Sequence, residues 1–380
     1  PQVLNEDRVR VMRQALAGML WSKQYYFFDL DLWLEEHDAN PLLGGRRQVR
    51  NRDWYHMTND NVISMPDKWE YPWYAAWDLA FHTVVYDLVD PDFAREQLDL
   101  MLRDVYLHPS GQIPAYEWNF GDVNPPVHAW ATYFNYLSGE HVSGDDIDYL
   151  KSVFNKLLLN FNWWVNRKDP GGNNLFNGGF LGLDNIGVFD RSRPLPTGGY
   201  LEQADGTAWM AFYSQNMLSL ALEIARHDKT YEEMVLKFVQ HFLWIAGAMD
   251  RIGDNLDELW DEKDGFFYDV LVMPDGSAER IKIHSMVGLL PLTAVTVIEP
   301  EVLEEIPAIL ERIRAFANKR PELLANIHPL ERPGHTGRRR LAGLNEEKLR
   351  RVLATRLEEN SFLSPYGIRA LSRAHRERPD

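Results

Sequence analysis

Helix-forming segments of two kinds alternate along this 380-residue sequence. The first kind is apolar on most sides and comprises residues 72–88, 126–138, 205–227 and 285–297. The second kind carries regular charges on one face and comprises residues 92–105, 146–166, 230–250 and 302–318. Helices that are hydrophobic all round belong inside a fold, and amphipathic helices belong outside. The alternation therefore predicts an all-α toroid of two concentric rings, whose inner helices open onto one central pocket. An irregular all-α globule is the alternative.

Two further helical segments, residues 6–22 and 345–357, bring the predicted helices to ten. A short β-hairpin is predicted as an insertion, with its strands in residues 265–272 and 279–283. Few other segments have the pattern of a strand. The length allows two or three ordinary domains, but a helical toroid of this size forms a single one. We therefore expect one domain over residues 1–380.

Charge and composition exclude several classes of function. The net charge of −16 argues against nucleic acid and against an anionic membrane as partners, because both require a basic face. The absence of cysteine excludes a thiolate nucleophile and a cysteine-ligated zinc site, and it fits a cytoplasmic location. Phosphate-binding and dinucleotide-binding fingerprints are missing, so no cofactor is expected. The 13 tryptophans exceed the usual needs of a core and indicate a sugar-binding surface.

One carboxylate lies in a glycine-rich and otherwise uncharged loop between two helical segments. This is Asp184, and the loop around it contains four glycines and the apolar residues Phe180, Leu183 and Ile186. Glycines let a backbone come close to a ligand, and apolar surroundings raise the pKa of a carboxyl group, as a general acid requires. Asp184 is therefore a candidate proton donor. The alternative is an Asp that caps or turns a loop.

A second group of candidates lies at the start of the first apolar helix. Asp78, Phe81 and His82 are spaced to share one helical face, and Trp77 precedes them. The carboxylate can accept hydrogen bonds from sugar hydroxyls while the aromatic rings stack on the sugar. Core packing is the main alternative. Metal binding by Asp78 and His82 is not expected, because no further ligand follows at suitable spacing.

Two more loops combine acids, amides and aromatic residues. The first contains Gln112, Tyr116, Glu117, Trp118 and Asn119, and the second introduces residues 205–227 with Gln203 and Asp205. The alternative role of Asp205 is to cap the helix. Because such loops recur at the starts of predicted inner helices, carbohydrate chemistry explains them best. A glycosidase needs one carboxyl to protonate the leaving oxygen and a second to activate water or to attack directly.

Six motifs in order resemble glycoside hydrolase family 63. They are residues 77–82 (WDLAFH), 112–118 (QIPAYEW), 122–126 (DVNPP), 182–185 (GLDN), 203–209 (QADGTAW) and 364–369 (SPYGIR). The resemblance runs from about residue 20 to the end of the sequence, and it implies an (α/α)6 barrel and an inverting α-glycosidase. It assigns the general acid to Asp184, adds Asn185 to the substrate-binding loop, and places Trp77 and Asp78 in the sugar subsite.

The sequence departs from the family at its end. Members continue past the SPYGIR motif, and a later Glu supplies the catalytic base, whereas this sequence ends at Asp380. We predict ten helices, whereas the barrel of this family has twelve, and the difference agrees with that departure. We therefore expect an incomplete toroid without its catalytic base, for which Glu117 is the least unsuitable substitute. A catalytically silent carbohydrate-binding protein or fragment is the alternative. A sugar epimerase that uses His82 and His128 is a weaker one.

The remaining properties stay open at this point. Glucose and mannose differ only at the C2 hydroxyl, so the sequence does not separate an α-glucosidic from an α-mannosidic bond. It also leaves the oligomeric state open. The sequence begins at Pro1 without a methionine, which leaves room for an upstream segment.

Overall fold

The computed structural model describes residues 5–138, 144–169, 171–183, 186–250, 258–324, 327 and 334–376. The chain divides into two compact units, Pro1–Trp163 and Trp164–Asp380. The single (α/α)6 domain over residues 1–380, and its incompleteness, stay predictions.

The first unit combines helices with one pair of strands. Its helices are α1 (Glu6–Trp21), α2 (Leu30–Glu36), α3 (Ala76–Tyr86), α4 (Pro91–Leu100), α5 (His128–Ser138) and α6 (Gly144–Arg167), the last of which continues into the second unit. Its strands, β1 (Lys23–Asp29) and β2 (Thr58–Ser64), pair antiparallel. Helix α3 packs against α4 and α5. Helix α4 begins where predicted, because the Asp90 side chain accepts a hydrogen bond from the Phe93 N–H and Pro91 occupies the first turn.

One hydrophobic core fills this unit. It gathers residues from the strand pair, from α2, from the start of α3 and from the loops on both sides of it, including Tyr26, Leu34, Tyr74, Leu79 and Phe120. Buried aromatic rings meet edge to face within it; the ring centroids of Tyr26 and Tyr74 lie 5.6 Å apart. The core therefore fixes the loop that ends at Phe120 against the start of α3.

The second unit is built around helix α7. Its helices are α7 (Ala204–His227), α8 (Glu232–Met249), α9 (Pro300–Glu305), α10 (Pro307–Lys319) and α11 (Glu346–Arg356). Nearly every residue of α7 is buried, whereas α10 buries only Ile309. These two helices confirm the predicted contrast between an apolar helix, which is buried on nearly all sides, and an amphipathic helix, which is largely exposed.

Nine short strands belong to the described part of the second unit. They are β3 (Tyr200–Glu202), β4 (Trp260–Asp261), β5 (Phe266–Phe267), β6 (Asp269–Val272), β7 (Ala278–Ile281), β8 (Val295–Ile298), β9 (Arg339–Ala342), β10 (Leu363–Ser364) and β11 (Gly367–Ile368). Strands β6 and β7 confirm the predicted hairpin, and β3 joins them as a third strand. The expectation of an all-α fold is thus too simple, although each of these strands is short.

Four predicted helices differ from the observed ones. Helix α4 ends at Leu100 rather than at residue 105, and the other three differ for local reasons. Residues 285–297 form a 3-10 helix, Met286–Thr293, followed by β8, because Pro291 interrupts the first part and β-branched residues favour a strand in the second. The predicted helix 302–318 divides into α9 and α10, since Pro307 lacks the N–H that a continuous helix needs. Helix α3 starts at Ala76 rather than at residue 72, because Ala75 pairs with Tyr116 in an isolated β-bridge.

None of the helices in the described ranges combines the length and the apolar character that crossing a lipid bilayer requires.

Candidate active site

The start of α3 is fastened to the loop of residues 112–124. The Ala76 N–H donates to the Ala115 carbonyl at 2.8 Å, and the Trp77 N–H donates to Asn124 Oδ1 at 3.3 Å. The residue before α3, Ala75, makes no side-chain cap, so the first N–H groups of the helix need such outside partners. The structure therefore brings the first two predicted sugar-binding loops together within the first unit.

Asp78 and His82 lie one turn apart on α3 and have different surroundings. Asp78 is half-buried, and burial raises the pKa of its carboxyl group above the usual range. Burial lowers the pKa of His82, whose Nδ1 lies 2.7 Å from Ser64 Oγ on β2. His82 is thus tied to the strand pair. His128, the other candidate for epimerase chemistry, is almost fully buried, and burial lowers its pKa to about 4.

A line of aromatic rings continues from Trp77 along α3 and α5. The ring centroids of Trp77 and Phe81 lie 5.7 Å apart, and those of Phe81 and Trp130 lie 5.5 Å apart. Phe81 is 40% exposed. Trp77 and Phe81 therefore form a partly open apolar surface beside Asp78, as a sugar subsite requires.

The amides of the loop of residues 112–124 hold the loop itself. Gln112 Nε2 donates to the Phe120 carbonyl at 2.6 Å, and Asn119 Nδ2 donates to Asp122 Oδ2 at 2.8 Å. The Tyr116 hydroxyl donates to the same carboxylate oxygen at 3.2 Å. These contacts assign Gln112, Tyr116 and Asn119 a role in shaping the loop, beside the predicted role in binding substrate.

Glu117 and Trp118 are the acid and the indole that this loop presents. Glu117 is buried and forms an ion pair with Arg50, whose Nη2 lies 2.9 Å from Glu117 Oε1. The Trp118 side chain, in contrast, is 51% exposed. Trp118 is therefore open to a ligand, while the Glu117 carboxylate is already engaged.

In the second unit, Asp184 and Asn185 lie outside the described residues, but the backbone that leads to them is described. Gln203 Oε1 accepts hydrogen bonds from the N–H groups of Gly178 and Gly179, and its Nε2 donates to the Gly179 carbonyl at 2.9 Å. Gly179 and Gly182 have φ angles of +69° and +74°, which glycine tolerates at no steric cost. The predicted site residue Gln203 thus holds the glycine-rich loop in place.

Asp205 has a structural role that the sequence did not reveal. Its side chain is fully buried and forms an ion pair with Arg191, whose Nε also donates to the Gly179 carbonyl at 3.0 Å. A second carboxylate, Asp269, lies 3.8 Å from Arg191 Nη1. The Asp205 side chain is closed off from solvent in this structure, and its contact with a sugar stays a prediction.

Burial sets the protonation of the two carboxyl groups beside Arg191. It raises the pKa of Asp205, and the charge of Arg191 acts in the opposite direction. Burial also raises the pKa of Asp269 to about 6, with the Asp205 charge adding to the effect and the Arg191 charge opposing it. Ionisation of Asp269 is thus less favourable in the folded protein than in the unfolded chain.

This arrangement predicts a pH dependence of stability. Because the pKa of Asp269 is higher in the folded than in the unfolded chain, its contribution to stability is complete below about pH 4 and is lost as the pH rises to about 6. Asp269→Asn removes this dependence. We expect the free energy of unfolding of the variant, relative to the parent, to rise by about 2 kcal/mol between pH 4 and pH 7.

Urea unfolding at a series of pH values measures this effect. Asp275→Asn is the matched control, because Asp275 lies in the turn between β6 and β7 and is fully exposed, and its pKa is lowered by hydrogen bonds from Ser277. Its substitution should leave the profile between pH 4 and pH 7 unchanged. Parallel profiles for Asp269→Asn and the parent protein would contradict the account of this ion-pair cluster.

Candidate metal ligands do not cluster in the part of the chain that the structure describes. Within those residues no group of three or more His, Asp or Glu side chains is arranged to hold a metal ion. Asp78 and His82 accordingly lack a third candidate ligand there.

The comparison with known proteins extends this picture. Residues 71–180 match the family described as the mannosylglycerate hydrolase MGH1-like glycoside hydrolase domain. This part of the chain is therefore similar to these glycoside hydrolases. The match covers the start of α3, the loop of residues 112–124 and the beginning of the glycine-rich loop, and it confirms the resemblance to glycoside hydrolase family 63.

A longer relative matches the whole chain. This is the uncharacterized protein YMR196W of Saccharomyces cerevisiae, which is 46% identical over 395 residues, 100% of this chain and 36% of its own length. The chain thus spans about a third of the curated relative that it matches.

Solved structures from Thermus thermophilus show a distant similarity. An uncharacterized conserved protein has a TM-score of 0.48 at 18% identity, covering 73% of this chain and 78% of its own. A GH63 mannosylglycerate hydrolase in complex with glucose has a TM-score of 0.48 at 17% identity, covering 73% and 78%. The same enzyme with Tris and D-glycerate gives 0.47 at 15% identity, covering 73% and 79%.

Proposed function

We propose that the protein is an inverting α-glycosidase that hydrolyses an α-glucosidic or α-mannosidic bond. Asp184 is the general acid: it gives its proton to the glycosidic oxygen as the bond from that oxygen to C1 breaks. Water attacks C1 from the opposite face and loses a proton to a second carboxylate. In inverting enzymes the two carboxyl groups stand about 6.5–9.5 Å apart, which leaves room for the water.

One observation carries this proposal: the backbone that leads to Asp184 is held by buried side chains. Gln203 bonds to Gly178 and Gly179, and Arg191 bonds to the Gly179 carbonyl. A general acid must be presented at a fixed position and orientation to a leaving oxygen. A loop that merely turned the chain would not need the four hydrogen bonds that Gln203 and Arg191 form with this backbone.

The proposed sugar contacts lie in the first unit. We assign ring stacking to Trp77, Phe81 and Trp118, and hydrogen bonds from sugar hydroxyls to Asp78. The half-buried position of Asp78 supports this role, because a partly desolvated carboxylate gains from hydroxyl donors. Asn185 is assigned to the substrate by the family resemblance alone. His82 takes a supporting role through its contact with Ser64.

We propose that the catalytic base is a residue outside this 380-residue sequence. Glu117 is a poor substitute, since its carboxylate is buried and paired with Arg50. Glu358 and Glu359 are exposed beyond the end of α11, as a solvated helix end would be. We also propose that the substrate is a carbohydrate. The proposed location is the cytoplasm, which the absence of cysteine favours.

A catalytically silent carbohydrate-binding protein or fragment is the second candidate. The observation that favours it is that two of the candidate carboxylates, Glu117 and Asp205, are engaged in ion pairs. Both functions use the aromatic surface of Trp77 and Phe81. They differ in whether a bond is broken.

Hydrolysis and binding assays separate the two. The 380-residue chain and a longer version of the protein are each incubated with α-glucosides, α-mannosides and their glycerate conjugates, and sugar release is measured beside sugar binding by calorimetry. Release by the longer version, together with binding by both, supports the proposal. Binding without release by either version supports the silent alternative, and the absence of both contradicts the carbohydrate function.

A further inference from the structure

Arg50 contacts the loop of residues 112–124 in two ways. Its Nη1 donates to the Glu117 carbonyl at 2.9 Å, and its Nη2 donates to Glu117 Oε1 at 2.9 Å. Its Cζ also lies 4.4 Å from the centroid of the Trp118 ring. One guanidinium group therefore holds both the backbone just before Trp118 and the Trp118 ring itself. A planar guanidinium can donate two hydrogen bonds and stack at the same time, which an ammonium group cannot.

The Trp118 ring is contacted by two other side chains and still remains half exposed. Arg50 lies over one face, and the Trp73 ring meets Trp118 edge to face, with the centroids 5.6 Å apart and the planes at 88°. The side chain is nevertheless 51% exposed. This exposure leaves part of the ring available to a ligand. A flat apolar face held rigid in this way suits the C–H face of a sugar ring, because little conformational entropy is lost on binding.

The next residue, Asn51, secures the backbone on both sides of Trp118. Its Nδ2 donates to the Glu117 carbonyl at 2.7 Å, and its Oδ1 accepts from the Phe120 N–H at 2.8 Å. Arg50 and Asn51 thus fix the backbone before and after Trp118. Glu117 neutralises the Arg50 guanidinium, so the ion pair beside the ring has no net charge, as suits an uncharged ligand.

We propose that Arg50 is a positioning residue that holds Trp118 as a stacking platform for an uncharged sugar ring. This inference rests on the proposed function, since it assumes that the ligand is a carbohydrate. Arg50 itself does not touch the sugar. Its loss allows the Trp118 ring to leave its position, so sugar binding weakens although the overall fold remains.

Fluorine NMR of the 380-residue chain labelled with 5-fluorotryptophan tests this role. The resonances of Trp118 and Trp77 are assigned with Trp118→Phe and Trp77→Phe, and D-glucose and D-mannose are the titrants. In the parent protein we expect at least one sugar to shift both resonances. In Arg50→Lys we expect the Trp118 resonance to move before any sugar is added, and the dissociation constant to rise about tenfold.

Arg52→Lys is the matched control, because Arg52 lies two residues away and, among the residues that the structure describes, its side chain donates to the Gly45 and Arg47 carbonyls. It should leave the Trp118 resonance and the affinity unchanged. If Arg50→Lys does not fold, Glu117→Gln loosens the same guanidinium from its other side. An unmoved Trp118 resonance in the Arg50 variant overturns the positioning role. A sugar that shifts Trp77 but not Trp118 overturns the platform alone, whereas sugars that shift neither also contradict the proposed function.

Discussion

Replacing Asp184 with asparagine is expected to abolish glycoside hydrolysis, with kcat falling about a thousandfold or more. Asparagine has nearly the same shape but no acidic proton, so the glycosidic oxygen would leave as an alkoxide. Substrate affinity should change little, because hydrogen bonding by the side chain is largely kept. The measurement compares kcat and KM of the two proteins, in a version long enough to be active, on the best substrate found.

Asp190→Asn is the control for this experiment. Asp190 lies six residues after Asp184, and its side chain is 56% exposed and pairs only with Arg193 among the described residues. Its substitution should leave kcat within a factor of two. A substrate whose leaving group needs no protonation should also recover part of the activity of the Asp184 variant. Unchanged turnover of ordinary α-glycosides by Asp184→Asn would refute the assignment of the general acid.

Removal of the buried charge of Arg191 is expected to have the largest effect on stability. Arg191→Leu leaves the fully buried Asp205 without its counter-charge and also breaks the hydrogen bond to the Gly179 carbonyl. Breaking a buried ion pair by removing one partner costs about 3–5 kcal/mol. Urea unfolding at pH 7 measures the loss. The loss should shrink at acidic pH, because Asp205 can then take up a proton.

Arg193→Leu is the matched control, since Arg193 lies two residues away and its side chain is 81% exposed in its ion pair with Asp190. It should change the free energy of unfolding by less than about 0.5 kcal/mol. The double variant Arg191→Leu with Asp205→Asn should recover part of the lost stability, because it removes the uncompensated charge as well. If Arg191→Leu and Arg193→Leu lose the same free energy of unfolding, the Arg191–Asp205 ion pair does not behave as a buried one.

The elements predicted best from the sequence are those whose signals are local. Helix α7 is apolar on most sides, and burial of nearly all of its residues follows from that pattern. The hairpin of β6 and β7 is marked by its strand pattern and by the turn at Gly276. Strands β1 and β8 were missed, because each depends on a partner that is distant in sequence, β2 and β9 respectively.

The residues of the candidate site likewise divide into those with a local sequence signal and those without one. Trp77, Asp78 and Trp118 could be named from motifs, because a motif records which residue types occur together. Arg50 and Arg191 could not, because their partners Glu117 and Asp205 lie 67 and 14 residues away and only the fold brings the charges together. In the sequence, Arg50 belongs to a stretch with three other arginines, a pattern that is typical of a solvated basic loop.

Proton NMR of the sugar at the moment of its release tests the central claim most directly. A version of the protein long enough to be active is mixed with its α-glycoside substrate, and the anomeric signals are followed before mutarotation mixes them. An inverting enzyme releases the β-anomer first, and the Asp184→Asn variant should release neither anomer. First release of the α-anomer, or release of sugar by the Asp184 variant at the parent rate, would contradict the account.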